Sequence, residues 1–80
     1  MTNTPLLEDY IDRSGYKRSY IAKRLGVSSY TLAMKINNES EFKASEIDSM
    51  CEILSIDMDQ RMAIFFAKKV DFKSTTNKDN

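Results

Sequence analysis

Residues 20–36 read YIAKRLGVSSYTLAMKI. Apolar side chains recur three and four apart up to Leu25, stop at Gly26, and resume beyond Ser28 and Ser29. One helix ends here and another begins within about three residues. Glycine readily adopts the positive φ that the residue just past a helix often needs. Val27 bridges, and Ser28 is a good cap for the second helix. The spacing predicts helices over about 18–25 and about 29–37. Ile21, Ala22, Leu25, Val27, Leu32 and Ile36 turn inward. Ser29, Tyr30, Ala33 and Met34 are left on the outer face of the second helix. Two short helices around a tight turn match the helix-turn-helix pattern, and the small Ala22 permits their close approach.

The flanking chain reads as further helices. Thr4 is expected as a cap with Pro5 at the first helical position. Leu6, Leu7, Tyr10 and Ile11 then line one face, and Gly15 ends the run. Asn37-Asn38 offers a left-handed exit from the third helix. A polar loop continues through Glu41, with Phe42 tucked beneath it. A fourth helix is expected from near Ala44 to about Ser55, with Ile47, Met50, Cys51 and Leu54 as its stripe. Asp57 and Gln60 have capping-box spacing before a fifth helix carrying Met58, Met62, Phe65 and Phe66. No internal repeat is visible. The expectation is a compact all-α domain of five helices over residues 1–70, with a polar flexible tail over 71–80. Helices this short are not stable singly in water, so their shared apolar faces must hold them together.

Composition narrows the function. The chain has 80 residues, 41% hydrophobic and 30% charged, which is a globular rather than a disordered composition. No run approaches the roughly 20 apolar residues of a membrane span. No basic-then-apolar leader is visible at the N-terminus. Cys51 is the single cysteine, and its place on an apolar stripe reads as a reduced, buried thiol in a cytoplasmic protein. With no histidine, a zinc site is not expected. No glycine-rich phosphate loop or catalytic carboxylate pair stands out, so neither an enzyme nor a cofactor is expected. No sensor or self-cleaving domain is expected within 80 residues. Control is therefore expected from concentration, partners or turnover.

Charge is zero overall but unevenly spread. Residues 1–12 hold three acids and no base. Residues 13–43 hold seven bases against two acids, for +5, and residues 44–80 hold five bases against seven acids, for −2. A local patch, not the total, sets the field that a phosphate backbone meets. Lys17 and Arg18 sit at the start of the helix over 18–25, and Lys35 and Lys43 lie toward the far side of the outer face over 29–37. An outer helix face of small, polar and aromatic residues flanked by cations suits the major groove of DNA, which is about 12 Å wide. Lys23 and Arg24 read more simply as a solvated face.

The stretch RSYIAKRLGVSSYTLAMKINNESEFKASEIDSMCEILSI, residues 18–56, resembles the phage lambda-repressor and Cro group of helix-turn-helix proteins. Within that group it bears a closer resemblance to small phage-type regulators of Gram-positive hosts, through its EFKASEI…CEIL and IFFA segments. The features that carry the likeness are A-x-x-L-G-V-S-x-x-T-L from Ala22 and E-F-x-x-S-E-I from Glu41. The resemblance implies a lambda-repressor-like fold and a double-stranded DNA operator as partner. It implies that Arg18 and its amide grip a phosphate at a site usually held by Gln, and that Asn37 contacts a phosphate. It places Ser29, Tyr30 and Met34 at base edges, with Thr31 beside them. Tyr30 and Met34 stand where Gln or Arg is common, so thymine methyls and a tyrosine hydroxyl bond would carry the readout. Lys17 replaces the usual Thr or Ser cap, and Asn38 replaces a common Gly.

One reading helix supplies few base contacts, so a homodimer on half-sites about 34 Å apart is expected. Met62, Phe65, Phe66, Val70 and Phe72 are the candidates for its interface, read against a simple core role. The implied function is a Cro-like repressor of phage or prophage type. Two rivals stand beside it. One is the antitoxin of a toxin–antitoxin pair, docking a protein partner through its C-terminal segment. The other is a protein-binding anti-repressor module, which the zero net charge favours.

Overall fold

The computed structural model describes residues 1–67, and Val70 and Phe72 lie outside that range, as does the expected tail. Five helices succeed one another: α1 (Thr4–Ser14), α2 (Arg18–Leu25), α3 (Ser29–Ile36), α4 (Ala44–Leu54) and α5 (Met58–Phe65). No strand occurs among the described residues. The described residues form an all-α five-helix domain.

The last three of the four inter-helix turns include two that begin without glycine. Gly26, Asn38 and Ser55 each sit at positive φ, at 78°, 66° and 56°. After α2, Gly26 N–H donates to Lys23 O and Val27 N–H to Ala22 O. After α3, Asn38 N–H donates to Lys35 O and Glu39 N–H to Met34 O. Ile56 N–H returns to Cys51 O after α4. These reversals satisfy carbonyls that the helix itself leaves unpaired and turn the chain sharply. Starts are capped by side chains: Ser28 accepts from Thr31 N–H and Asp57 from Gln60 N–H. Lys17 makes no side-chain cap at α2, because an ammonium has no acceptor to offer.

The apolar faces meet in one cluster. Leu7 and Ile11, Ile21 and Ala22, Leu32 and Ile36, the α4 stripe of Ile47, Met50, Cys51 and Leu54, and Ile64 with Phe65 all contribute. Ile53 and Ile56 join them. Phe42 lies beneath its loop, edge-on to Phe65 at 5.4 Å between ring centroids. α2 packs on both α3 and α4, and α1 touches α3, α4 and α5. Buried Cys51 has its thiol pushed above its ordinary pKa by desolvation.

Two sequence expectations need correction. Asn3, not Thr4, caps α1, its side chain accepting from Leu6 N–H. The Thr4 hydroxyl instead donates to Ile36 O at the end of α3. Phe65 is core rather than a dimer surface, being 4% exposed. The inner face of α5 runs through Ile64 and Phe65, with half-buried Arg61 beside them reaching Asp48 on α4. Met62 turns away from that arc, and Met58, in phase with Phe65 but in the first turn, is exposed as well.

The first residues strap the domain. Thr2 N–H donates to Asn38 Oδ1 at 2.8 Å, and Asn38 Nδ2 donates back to Thr2 O at 2.9 Å. Asn3 N–H reaches Ile64 O, and Ala67 N–H reaches Met1 O. The segment therefore joins the end of α3 to the end of α5.

Ser55 and Asn38 make a paired test. Ser55→Gly relieves a left-handed strain and should stabilise by up to about 1 kcal/mol. Asn38→Gly keeps the favourable backbone but loses both bonds to Thr2, and should destabilise by about 1–3 kcal/mol. Urea unfolding of the two variants checks the opposite signs.

Candidate nucleic-acid interface

An α-helix turns about 100° per residue, so eight residues fix which side of α3 faces where. Leu32 and Ile36 are buried and define the inner arc. Tyr30, Ala33 and Met34 fall on the other side. Tyr30 is 74% exposed, Ser29 and Ala33 are exposed, and Met34 and Thr31 are half-buried. The Thr31 hydroxyl is tied to the Ser28 hydroxyl at 3.0 Å, and its amide to the same oxygen. Tyr30 thus stands outward with Met34 beside it, while Ser29 is exposed in the first turn and Thr31 flanks the inner arc.

The phosphate candidates divide. Lys17, Lys43 and Asn37 are exposed, at the start of α2, the start of α4 and the end of α3 respectively. Among the described residues neither lysine enters an ion pair. Arg18 leans toward Glu8 of α1, 3.7 Å away, with both side chains more than two-fifths exposed. A contact that long and that wet holds the guanidinium weakly.

Lys35 is a correction. It is 6% exposed, and its ammonium donates to Glu46 Oε1 at 2.8 Å and to Glu41 O at 2.9 Å. The Phe42 ring lies 6.0 Å from it. An ammonium so enclosed is spent inside the fold and is not offered to a phosphate. Position explains it: Lys35 is three residues past Leu32 and beside Ile36, so the helix carries it inward. Glu46, which the sequence does not single out by residue type, is equally buried. Its Oε1 also accepts from Lys43 N–H at 2.8 Å, so it caps α4 from the third helical position. A signal exists, since Lys43 and Glu46 have capping-box spacing without a side-chain acceptor at the first place.

Away from α3 lies a second polar–aromatic surface that no sequence motif marks. Tyr16 and Tyr20 rings lie 5.0 Å apart, and Arg24 donates to the Tyr20 hydroxyl at 2.8 Å. Arg13 lies over Tyr10, 4.7 Å from the ring centroid, and pairs with Asp9. Tyr10, Arg13, Ser14, Tyr16, Ile53, Leu54 and Ser55 line a cleft of about 390 Å³. Arg24 is exposed, as a solvated face requires, but it is also held by Tyr20.

Met62 and Phe66 are 57% and 51% exposed, and Met58 is 69% exposed. They form an apolar side of α5 that the described chain leaves open. No group of three or more His, Cys, Asp or Glu among the described residues is placed to hold a metal. No described helix is long and apolar enough to cross a membrane.

Burial alone would raise the Glu46 pKa, but bonds from the Lys35 ammonium and the Lys43 amide outweigh it and hold the carboxyl below its ordinary range. A carboxylate with a depressed native pKa stabilises fully above its unfolded pKa, and that contribution is lost as pH falls through the native value. Stability should therefore fall as pH drops through and below the ordinary carboxylate range, with Glu46→Gln flattening that decline. Urea midpoints between about pH 7 and about pH 3 measure it. Tyr30→Ala, by contrast, should change stability no more than an ordinary surface substitution, about ±0.5 kcal/mol. Comparison with protein-family models, with curated proteins and with solved structures finds no match to this chain.

Proposed function

We propose that the chain is a small sequence-specific DNA-binding regulator, acting as a Cro-like repressor of phage or prophage type. The observation that carries this reading is the outer side of α3. It presents Ser29, Tyr30 and Ala33 to solvent, with half-buried Met34 beside them, on a capped helix. A tyrosine that is 74% exposed and fixed on a helix contributes little to folding. It offers a hydroxyl and an aromatic face to a partner. Exposed Lys17, Arg18 and Lys43 supply charge for phosphates, and Asn37 an amide. The short helices on either side of Gly26 form the supporting helix-turn-helix unit in this reading.

A single reading helix gives limited discrimination, each good base contact being worth about 1–3 kcal/mol. Two copies on paired half-sites supply the remainder. Met58, Met62 and Phe66 are the surface for that pairing in this account. The same surface favours a second reading, a protein-binding module of antitoxin or anti-repressor kind, in which it docks a different chain.

A pool of randomised duplexes, selected on the protein at two salt concentrations, separates the readings. A DNA reader enriches one sequence, and its affinity falls steeply with salt. Enrichment of nothing, with salt-independent retention, contradicts it. On the selected duplex, Arg18→Ala should weaken binding to all sequences alike and lower the salt slope by about one. Tyr30→Ala should relax preference at particular base pairs and leave non-specific binding unchanged. A uniform loss at Tyr30 removes it from the readers.

A further inference from the structure

The Lys35–Glu46 pair ties together the parts that the proposed interface needs to hold in register. Lys35 sits on the inner arc of α3, roughly 140° around the helix from Tyr30. Its ammonium bonds the Glu41 carbonyl in the loop after α3 and the Glu46 carboxylate in the first turn of α4. The same carboxylate oxygen holds the Lys43 amide. One buried cluster thus joins the helix carrying Tyr30 and Met34 to the loop after Asn37 and to the start of α4 at Lys43. The neighbouring inner side chains of α3, Leu32 and Ile36, are aliphatic, and the other directional ties lie at its very end, where the Thr4 hydroxyl donates to Ile36 O and Asn38 bonds Thr2. Aliphatic contacts are non-directional and tolerate small rotations of a two-turn helix. A bond of 2.8 Å from a buried ammonium does not.

The geometry points to Lys35 and Glu46 as positioning residues. They set the rotation of α3 about its own axis and the placement of Lys43, and so they determine sequence selectivity more than stability. This rests on the DNA-binding reading. General energetics support the division: exchanging a buried ion pair for well-fitted apolar side chains is often neutral or stabilising, because both charges had to be desolvated. Removing one partner alone strands the other charge, so single variants report folding only.

The test is the double variant Lys35→Met/Glu46→Leu, with Lys35→Met/Glu46→Gln beside it. Gln keeps an acceptor for the Lys43 amide without the charge. The expected result is a folded protein melting at or above the wild-type temperature. Amide hydrogen exchange should be faster in α3, and at the start of α4 where Glu46→Leu removes the acceptor of the Lys43 amide, but unchanged in α1. Preference for the selected duplex over random duplex should fall about tenfold, with random-duplex affinity retained, since about 1.4 kcal/mol of discrimination is one base contact misplaced. Wild-type selectivity with wild-type α3 exchange in a folded double variant overturns the proposal. Failure of both doubles to fold also overturns it, by making the pair a stability element. If the wild-type protein prefers no duplex, the DNA-binding reading fails. The exchange comparison then still decides whether the pair fixes α3.

Discussion

A charge that leaves water must find partners, and in this protein that constraint falls on Lys35. The chain places an ammonium on the inner side of a two-turn helix, between Leu32 and Ile36. Left alone there it would prevent folding or shed its proton. Glu46 and the Glu41 carbonyl meet it, and each answers from a different part of the chain. The loop over 37–43 is thereby drawn down on the core, Phe42 slides beneath it against Phe65, and α4 begins where Glu46 can take the Lys43 amide. A polar demand at one residue thus organises the turn between α3 and α4. The left-handed residue Asn38 starts that turn, and its side-chain amide brings the first residues of the chain onto the same corner.

The two sides of α3 divide the work. The inner side holds two fully buried aliphatic residues and the ammonium. The outer side holds an exposed tyrosine with small neighbours, which stabilises nothing inside the domain. In the proposed role that division is useful, because side chains free of structural duty can be varied to change what is read. The same logic applies at α5. Ile64 and Phe65 serve the core, and Met58, Met62 and Phe66 remain open for a second surface. Methionine is unbranched and polarizable, so such a surface can adapt to its partner.

Much of the frame is legible from residue types with narrow conformational roles. Gly26 and Ser28 mark the end of α2 and the start of α3, because positive φ and amide capping each favour few residues. The α4 stripe is legible from spacing alone. Thr4 misleads, since Asn3 beside it is an equally good cap and only the tertiary bond to Ile36 O decides between them. Lys35 misleads for a deeper reason. A lysine near a basic segment reads as one more surface cation, even where its helical phase points inward. Burial of a charge depends on a partner distant in sequence, and Glu46 lies eleven residues on. Phe65 misleads in the opposite direction, because hydropathy does not tell which of several apolar residues on α5 faces inward.

The proposed role requires that the Tyr30–Met34 side of α3 meet a ligand, and that the ligand be duplex DNA. Backbone amide shifts during titration with a selected duplex test both requirements most directly. Shifts concentrated at Lys17, Arg18, Ser29 to Met34, Asn37 and Lys43 are expected, with the cleft at Tyr10, Tyr16 and Leu54 silent. Shifts confined to that cleft or to α5, with α3 unmoved, would contradict it.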